Sequence, residues 1–141
     1  MKQNIMKQWV KALRSGKYKQ GQGTLKQYDS KGNAQHCCLG VLCELYNQDM
    51  KKNKKKTLPE KICNKDFAYG YTRFGNKLDD LPVEVRKWAG MKNSMGEFYT
   101  GITYFGDYEV EKIRESLADL NDSGKKFKTI SNIIEKNWEV L

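Results

Sequence analysis

Residues 38–46 (CLGVLCELY) are apolar on nearly every side, with Leu39, Leu42 and the Leu45/Tyr46 pair recurring at helical spacing. A helix of that pattern has no face to leave in water, so the remaining elements must be arranged around it. The 141 residues suffice for a single domain, 1–141, and are short for two. A compact chain of this length buries roughly 68–70% of its unfolded surface and needs no disulfide or metal to fold. With 38% apolar and 30% charged residues, the composition is that of a soluble globular domain. No apolar run approaches the roughly 18 residues of a membrane span. The N-terminal MKQNIMKQWV has no unbroken apolar core of the kind a secretory signal carries. A cytoplasmic protein with no membrane partner is the expectation.

Around the central helix, periodicity predicts the other elements. Ile5, Trp9 and Leu13 share one face of a helix over residues 4–15, which Gly16 can end in the left-handed conformation. Residues 17–23 read as a polar loop. Residues 24–28 and 34–37 read as short strands joined by a turn at 29–33, with Gly32 where positive φ is tolerated. Residues 47–66 read as little-ordered, with a flexible lysine-rich loop at 47–57. Phe67, Tyr69 and Tyr71, then Phe98, Ile102 and Tyr104, mark two aromatic strands that can pair with each other. Between them, Asp80-Leu81-Pro82 opens a short helix that Gly90 closes. Val110, Ile113, Leu117 and Leu120 form one helical stripe. After Asn121-Asp122-Ser123-Gly124, a second stripe follows in Phe127, Ile130, the Ile133/Ile134 pair and Trp138. The expected fold is α+β: about five helices on a short antiparallel sheet, ending in a helical hairpin.

The net charge of +9 admits anionic partners without choosing among them. Its distribution says more: residues 1–35 carry +7, residues 36–76 carry +4, and residues 77–141 carry −2. Lys51, Lys52, Lys54, Lys55 and Lys56 repel one another and must stay solvated, and no aromatic or Arg interleaves them. The C-terminal hairpin invites a helix-turn-helix reading with residues 127–138 in a major groove. The exposed face would show Lys128, Thr129, Ser131, Asn132, Glu135 and Lys136, mixed in charge within an acidic segment. DNA readers concentrate cations on the docking element, so a plain packing hairpin is the better account.

Cys37, Cys38, Cys43, Cys63 and the single histidine, His36, lack the two spaced pairs of a zinc site. Neighbouring side chains point apart on a strand or helix, so His36, Cys37 and Cys38 do not converge. Buried reduced thiols acting as small hydrophobes fit better. The same objection weakens a Cys–His nucleophile pair, so no catalytic residue, metal or cofactor is expected. Phe67, Tyr69, Tyr71, Phe74, Phe98, Tyr99, Tyr104, Phe105 and Tyr108 are favoured as core over base-stacking platforms, with Tyr71 and Tyr99 as exceptions. The strongest site candidate is residues 14–23 (RSGKYKQGQG), with three cations, a tyrosine, three glycines and no aliphatic residue. Glycines let backbone N–H groups turn toward one anion, to which Lys and Arg add charge. The order is not that of a Walker loop, and a basic connecting loop stands beside this reading.

The order of LRSGKYKQ at 13–20, CCLGVLC at 37–43, Leu81-Pro82 with Val85 and Trp88-Ala89-Gly90, and Leu120-Asn121-Asp122-Ser123-Gly124 with Phe127 and Ile130 resembles a family of small, mostly uncharacterised bacteriophage-encoded proteins. One departure is Lys126, where the family pattern places a serine that caps the last helix. The resemblance implies an accessory protein that counters host defence, by blocking a protein or by sequestering a nucleotide signal. The basic glycine-containing loop, the tyrosines and the polar Asn-Asp turn fit a pocket for a phosphorylated nucleotide, with Arg14, Lys17 and Lys19 expected on phosphates, Tyr18 stacked on a base, and Gln20, Asn121 and Asp122 bonded to base or ribose. Sequestration needs tight binding and no chemistry, in keeping with the missing acid/base constellation. The implied partner is a nucleotide-like molecule or a host defence protein, with nucleic acid a weaker choice and a homo-oligomer left open.

Overall fold

The computed structural model describes residues 1–64 and 70–141, without the side chains of 64, 71, 103, 104 and 109–111. The apolar run at 38–46 opens helix α2 (Cys38–Lys52), whose Cys38, Leu39, Val41, Leu42 and Cys43 are wholly inaccessible. Gly40 makes this burial geometrically feasible: a Cβ there would lie 1.7 Å from the backbone oxygen of Leu25. The Cys37 sulfur accepts the Gly40 N–H and caps the helix. Helix α1 (Gln3–Arg14) buries Ile5, Met6, Trp9, Val10 and Leu13 against this core. Its Trp9 indole N–H donates to the Cys38 carbonyl at 2.9 Å, so a large buried aromatic leaves no polar atom unpaired.

A five-stranded sheet forms beside α2, from β1 (Lys19–Gln20), β2 (Lys26–Tyr28), β3 (Ala34–His36), β4 (Glu60–Asn64) and β5 (Gly70–Phe74). The order is β1-β3-β2-β5-β4. The expected β2–β3 hairpin is present. Asp29 Oδ1 accepts the N–H groups of Lys31 and Asn33, and Gly32 sits at φ +78°. Three details differ from expectation. The polar loop at 17–23 contains β1, which runs parallel to β3 and makes the sheet mixed. The 47–66 segment holds the last two turns of α2 and all of β4, because Lys51 and Lys52 suit the negative end of a helix. The Asn47 side chain also clasps the returning chain, accepting from Leu58 N–H at 2.9 Å and donating to its carbonyl at 3.2 Å. Finally, β5 pairs with β2 and β4 rather than with the second aromatic stretch. Phe67 and Tyr69 lie outside the described residues, as do the side chains of Tyr71 and Tyr104.

Helix α3 (Val83–Ala89) runs as expected from Pro82 to Gly90, which adopts φ +70°. The predicted helical stripe from Val110 to Leu120 is corrected. Strands β6 (Glu97–Phe105) and β7 (Tyr108–Ser116) form a separate two-stranded ribbon, and α4 spans only Leu117–Asp122. The boundary is chemical: Ser116 Oγ accepts the Asp119 N–H at 3.0 Å and donates to its carboxylate at 2.7 Å. Helix α5 (Phe127–Asn137) then returns against α1. The fold is α+β, with five helices, the mixed sheet, the ribbon and a short C-terminal helical pair. Among the described residues no helix is long and apolar enough to cross a membrane.

Candidate ligand-binding site

The β2–β3 register sorts the polar side chains of this hairpin onto two faces. Lys26 lies opposite His36, and Gln27 lies opposite Gln35. Alternation sends one pair toward α2 and the other away from it. The inward pair forms a buried ionic cluster. Lys26 Nζ reaches Glu44 Oε1 at 2.7 Å and Glu60 Oε2 at 2.9 Å, and His36 Nε2 meets the same Glu44 oxygen at 2.9 Å. Burial opposes charge on Glu44, but hydrogen bonds from His36 and Lys26 and the lysine charge outweigh it and hold the carboxyl at about 2. Burial likewise opposes the Lys26 charge, and its bonds to Glu44 and Glu60 overcome this and raise its pKa. The Tyr18 ring stands edge-on to His36, centroids 5.3 Å apart, and its hydroxyl accepts from Gln48.

The outward pair opens onto a polar cleft of about 270 Å³, lined also by Gln20, Gly21, Gln22, Gly124 and Lys126. Gly21 is required for its shape, since a Cβ would lie 2.9 Å from both Gln27 Nε2 and Gln35 Cβ. Gln27 Nε2 donates to Gln35 Oε1 at 3.3 Å, a loose bond that leaves the Gln27 oxygen and the Gln35 amino group available. Four primary amides line this space, and among the described residues no carboxylate does. Lys126 precedes the first turn of α5, where no N-cap side chain accepts a bond. The lysine and the positive end of the helix therefore give this side of the cleft a preference for anions.

Of the seven residues singled out in the sequence only Gln20 lines this cleft; Arg14, Lys17, Tyr18, Lys19, Asn121 and Asp122 do not. Gln20 lines the cleft, but its amide nitrogen donates to Asn121 Oδ1 and Lys125 O, and its oxygen accepts the Phe127 N–H at 3.1 Å. It thus takes part of the capping duty that a serine at position 126 would perform. Asn121 is fully buried and satisfied. It accepts from Gln20 and from Cys38 N–H, and donates to Gly21 O and Asp122 Oδ1. Asp122 accepts the Gly23 N–H at 2.9 Å. These three fix the cleft wall by joining β1, α2 and α4, and Asn121 has no valence left for a ligand. Arg14 is engaged elsewhere: its guanidinium holds Glu135, Asn132 and Ser131 on α5. Lys19 pairs with Asp29 at 3.2 Å. The Lys17 ammonium lies 5.3 Å from the Tyr18 ring centroid.

Sequence reasoning missed Gln27, Gln35 and Lys126, and placed Gln22 in the candidate segment 14–23 without a role of its own. The Gln27–Gln35 pairing was legible, because the predicted hairpin register places them opposite each other. What brings Gly124 and Lys126 to the same edge is a tertiary contact about 100 residues away. The cysteines take no part. Burial pushes the Cys37 thiol up to about 12 and raises Cys38 and Cys43 well above the ordinary range. Thiols so disfavoured as thiolates are poor nucleophiles and ligands. Among the described residues, no three His, Cys, Asp or Glu side chains gather as a metal site.

Fold and cleft together define a small α+β domain with an amide-lined cleft at the edge of a mixed sheet. The family model described as Domain of unknown function (DUF8296) matches residues 1–138, and the chain belongs to that family. Comparison with curated proteins and with solved structures finds no match.

Proposed function

We propose that this is a bacteriophage accessory protein of the host cytoplasm that binds a small anionic, nucleotide-type ligand without turning it over, and so sequesters a host defence signal. The observation that carries this reading is the cleft itself: the amides of Gln22, Gln27 and Gln35, a lysine at the N-cap of α5 and, among the described residues, no lining carboxylate. Primary amides present donor and acceptor side by side, which matches the edge of a nucleobase. Lys126 and the start of α5 supply the charge that a phosphate needs. The resemblance to phage proteins supplies the biological setting. The ligand would meet Gln22, Gln27, Gln35 and Lys126 rather than Arg14 and Lys19, whose charges Glu135 and Asp29 hold; among the described residues no carboxylate pairs with Lys17. Gln20, Asn121 and Asp122 position the wall. A DNA-reading role for α5 is disfavoured, because Ser131, Asn132 and Glu135 already bind Arg14.

The test is a thermal-shift screen with cyclic dinucleotides, cyclic mononucleotides and ADP-ribose-type nucleotides, followed by mass analysis of the recovered ligand. Binding raises Tm by simple linkage, and the ligand returns chemically intact. Gln35→Ala and Lys126→Glu should lower affinity at least about tenfold, the scale of one lost charge-assisted bond. A screen with neither a Tm shift nor ligand depletion sinks the reading, and conversion of the ligand turns it into an enzyme.

A further inference from the structure

The ribbon β6–β7 is the one large element of the described fold that no other sheet continues. Nine residues per strand give it a length of about 30 Å. It is anchored at its base, where Phe98 is buried and Leu117 N–H donates to Gly96 O at 3.1 Å. Its far end exposes Phe105 by 81% and Tyr108 by 79%, on either side of the Gly106-Asp107 turn. Tyr99, Ile102 and Ile113 add exposed apolar surface along its length. A two-stranded ribbon is marginal in water by itself, and aromatic tips left in solvent mark an interaction surface.

The charge of the ribbon indicates what it meets. Residues 97–116 contain five acids and two bases, a net −3, in a chain whose total is +9. The rest of the same chain therefore carries +12. That remainder also contains an apolar recess of about 640 Å³, between the segment after α2 and the start of α3. Leu58, Tyr46 and Val83 line it; Lys77 at its edge is held by Asp80 at 3.1 Å, which leaves Lys56 as the lining cation in no ion pair among the described residues. An acidic arm with an aromatic tip and an apolar recess with Lys56 at its rim, on a body of net +12, are complementary halves of one interface.

We propose that two copies of this chain exchange arms, each seating Phe105 and Tyr108 in the recess of the other with Asp107 beside Lys56. Reciprocal exchange about a twofold axis closes the assembly and uses both halves twice. An aromatic side chain buries about 150–250 Å², so four of them supply roughly 600–1,000 Å² from the arm tips alone. With the matching area of the recesses, this passes the roughly 1,000 Å² that a specific interface requires. The inference rests on the ribbon and the recess and is independent of the ligand cleft.

Sedimentation of the full chain across a concentration series tests it. The expected species is a dimer whose dissociation constant rises with salt. Phe105→Ser with Tyr108→Ser should give a monomer with unchanged circular dichroism. Val83→Asp, on the receiving side, should do the same, which keeps the test intact if the tip variant misfolds. Asp107→Lys and Lys56→Glu should each weaken the dimer at least about fivefold, and the two together should recover most of the loss. A monomer at every concentration overturns the proposal. So does a dimer indifferent to the tip and recess variants, or a charge pair that fails to rescue.

Discussion

Asn121 shows how a single side chain joins distant parts of this chain. Its carboxamide uses both donors and both main acceptor positions on Gly21, Asp122, Gln20 and Cys38. Asn121→Ala strands these partners in a buried site, and each unsatisfied group costs about 1–3 kcal/mol. Relaxation and water entry reduce the sum, so urea denaturation should show a loss of roughly 2–4 kcal/mol. Wild-type stability in that variant would show that the clasp is dispensable. Glu44 gives a second measurable consequence. Its folded pKa lies at about 2, below its ordinary 4.5, so its ionised form favours the folded state. That contribution is complete above pH 4.5 and fades as the pH falls toward 2. The shift corresponds to on the order of 3 kcal/mol. Glu44→Gln should therefore be less stable at neutral pH and should lose less stability than wild type between pH 4.5 and 2. Parallel acid-unfolding curves for the two proteins would remove Glu44 from the account.

At the scale of elements, helix α2 rests on a glycine rather than on side-chain interdigitation alone. With a Cβ at position 40 only 1.7 Å from the Leu25 oxygen, helix and strand backbone cannot keep their approach. Gly40→Ala should cost more than the 1–3 kcal/mol of ordinary overpacking, or abolish folding, as read by Tm and soluble yield. Gly16→Ala is the contrast: nothing lies within 4 Å and only φ +73° is at stake, so a loss of about 1 kcal/mol is expected. Equal effects at the two sites would refute the close-approach argument. The elements that periodicity revealed are those whose faces are set locally, namely α1, the β2–β3 hairpin, α3 and α5. The misread stretch, 110–120, placed apolar residues at spacings of three and four across a strand and a helix. A local signal did mark that junction, since Ser116-Leu117-Ala118-Asp119 is a capping sequence. Arg14 is different in kind. Its partner Glu135 is 121 residues away, and no local pattern announces that a cation is already neutralised. The cleft was legible in the same measure: the Gln27–Gln35 pair by register, Lys126 only through the bonds of Gln20 to Lys125 O and Phe127 N–H on either side of it.

Across the whole molecule, most of the cationic charge lies outside the cleft, whose lining cation is Lys126. Lys51, Lys52, Lys54, Lys55 and Lys56 are all exposed, at and beyond the C-terminal end of α2, and none of them lines the amide cleft. Fields from exposed charges raise encounter rates with anions and are screened over a Debye length of about 10 Å at 0.1 M salt. Changing the five lysines to glutamine lowers the net charge from +9 to +4 without touching a cleft residue. Stopped-flow binding of the nucleotide identified by the screen should then show an association rate reduced several-fold at low salt, with the dissociation rate unchanged. Raising the salt should bring the two proteins to the same association rate. Lys126→Glu should behave in the opposite way, accelerating dissociation at every ionic strength, because its charge would sit against a ligand held in the proposed cleft. A five-lysine variant that dissociates faster would place part of the binding site on the lysine run and displace the amide cleft as the locus of affinity.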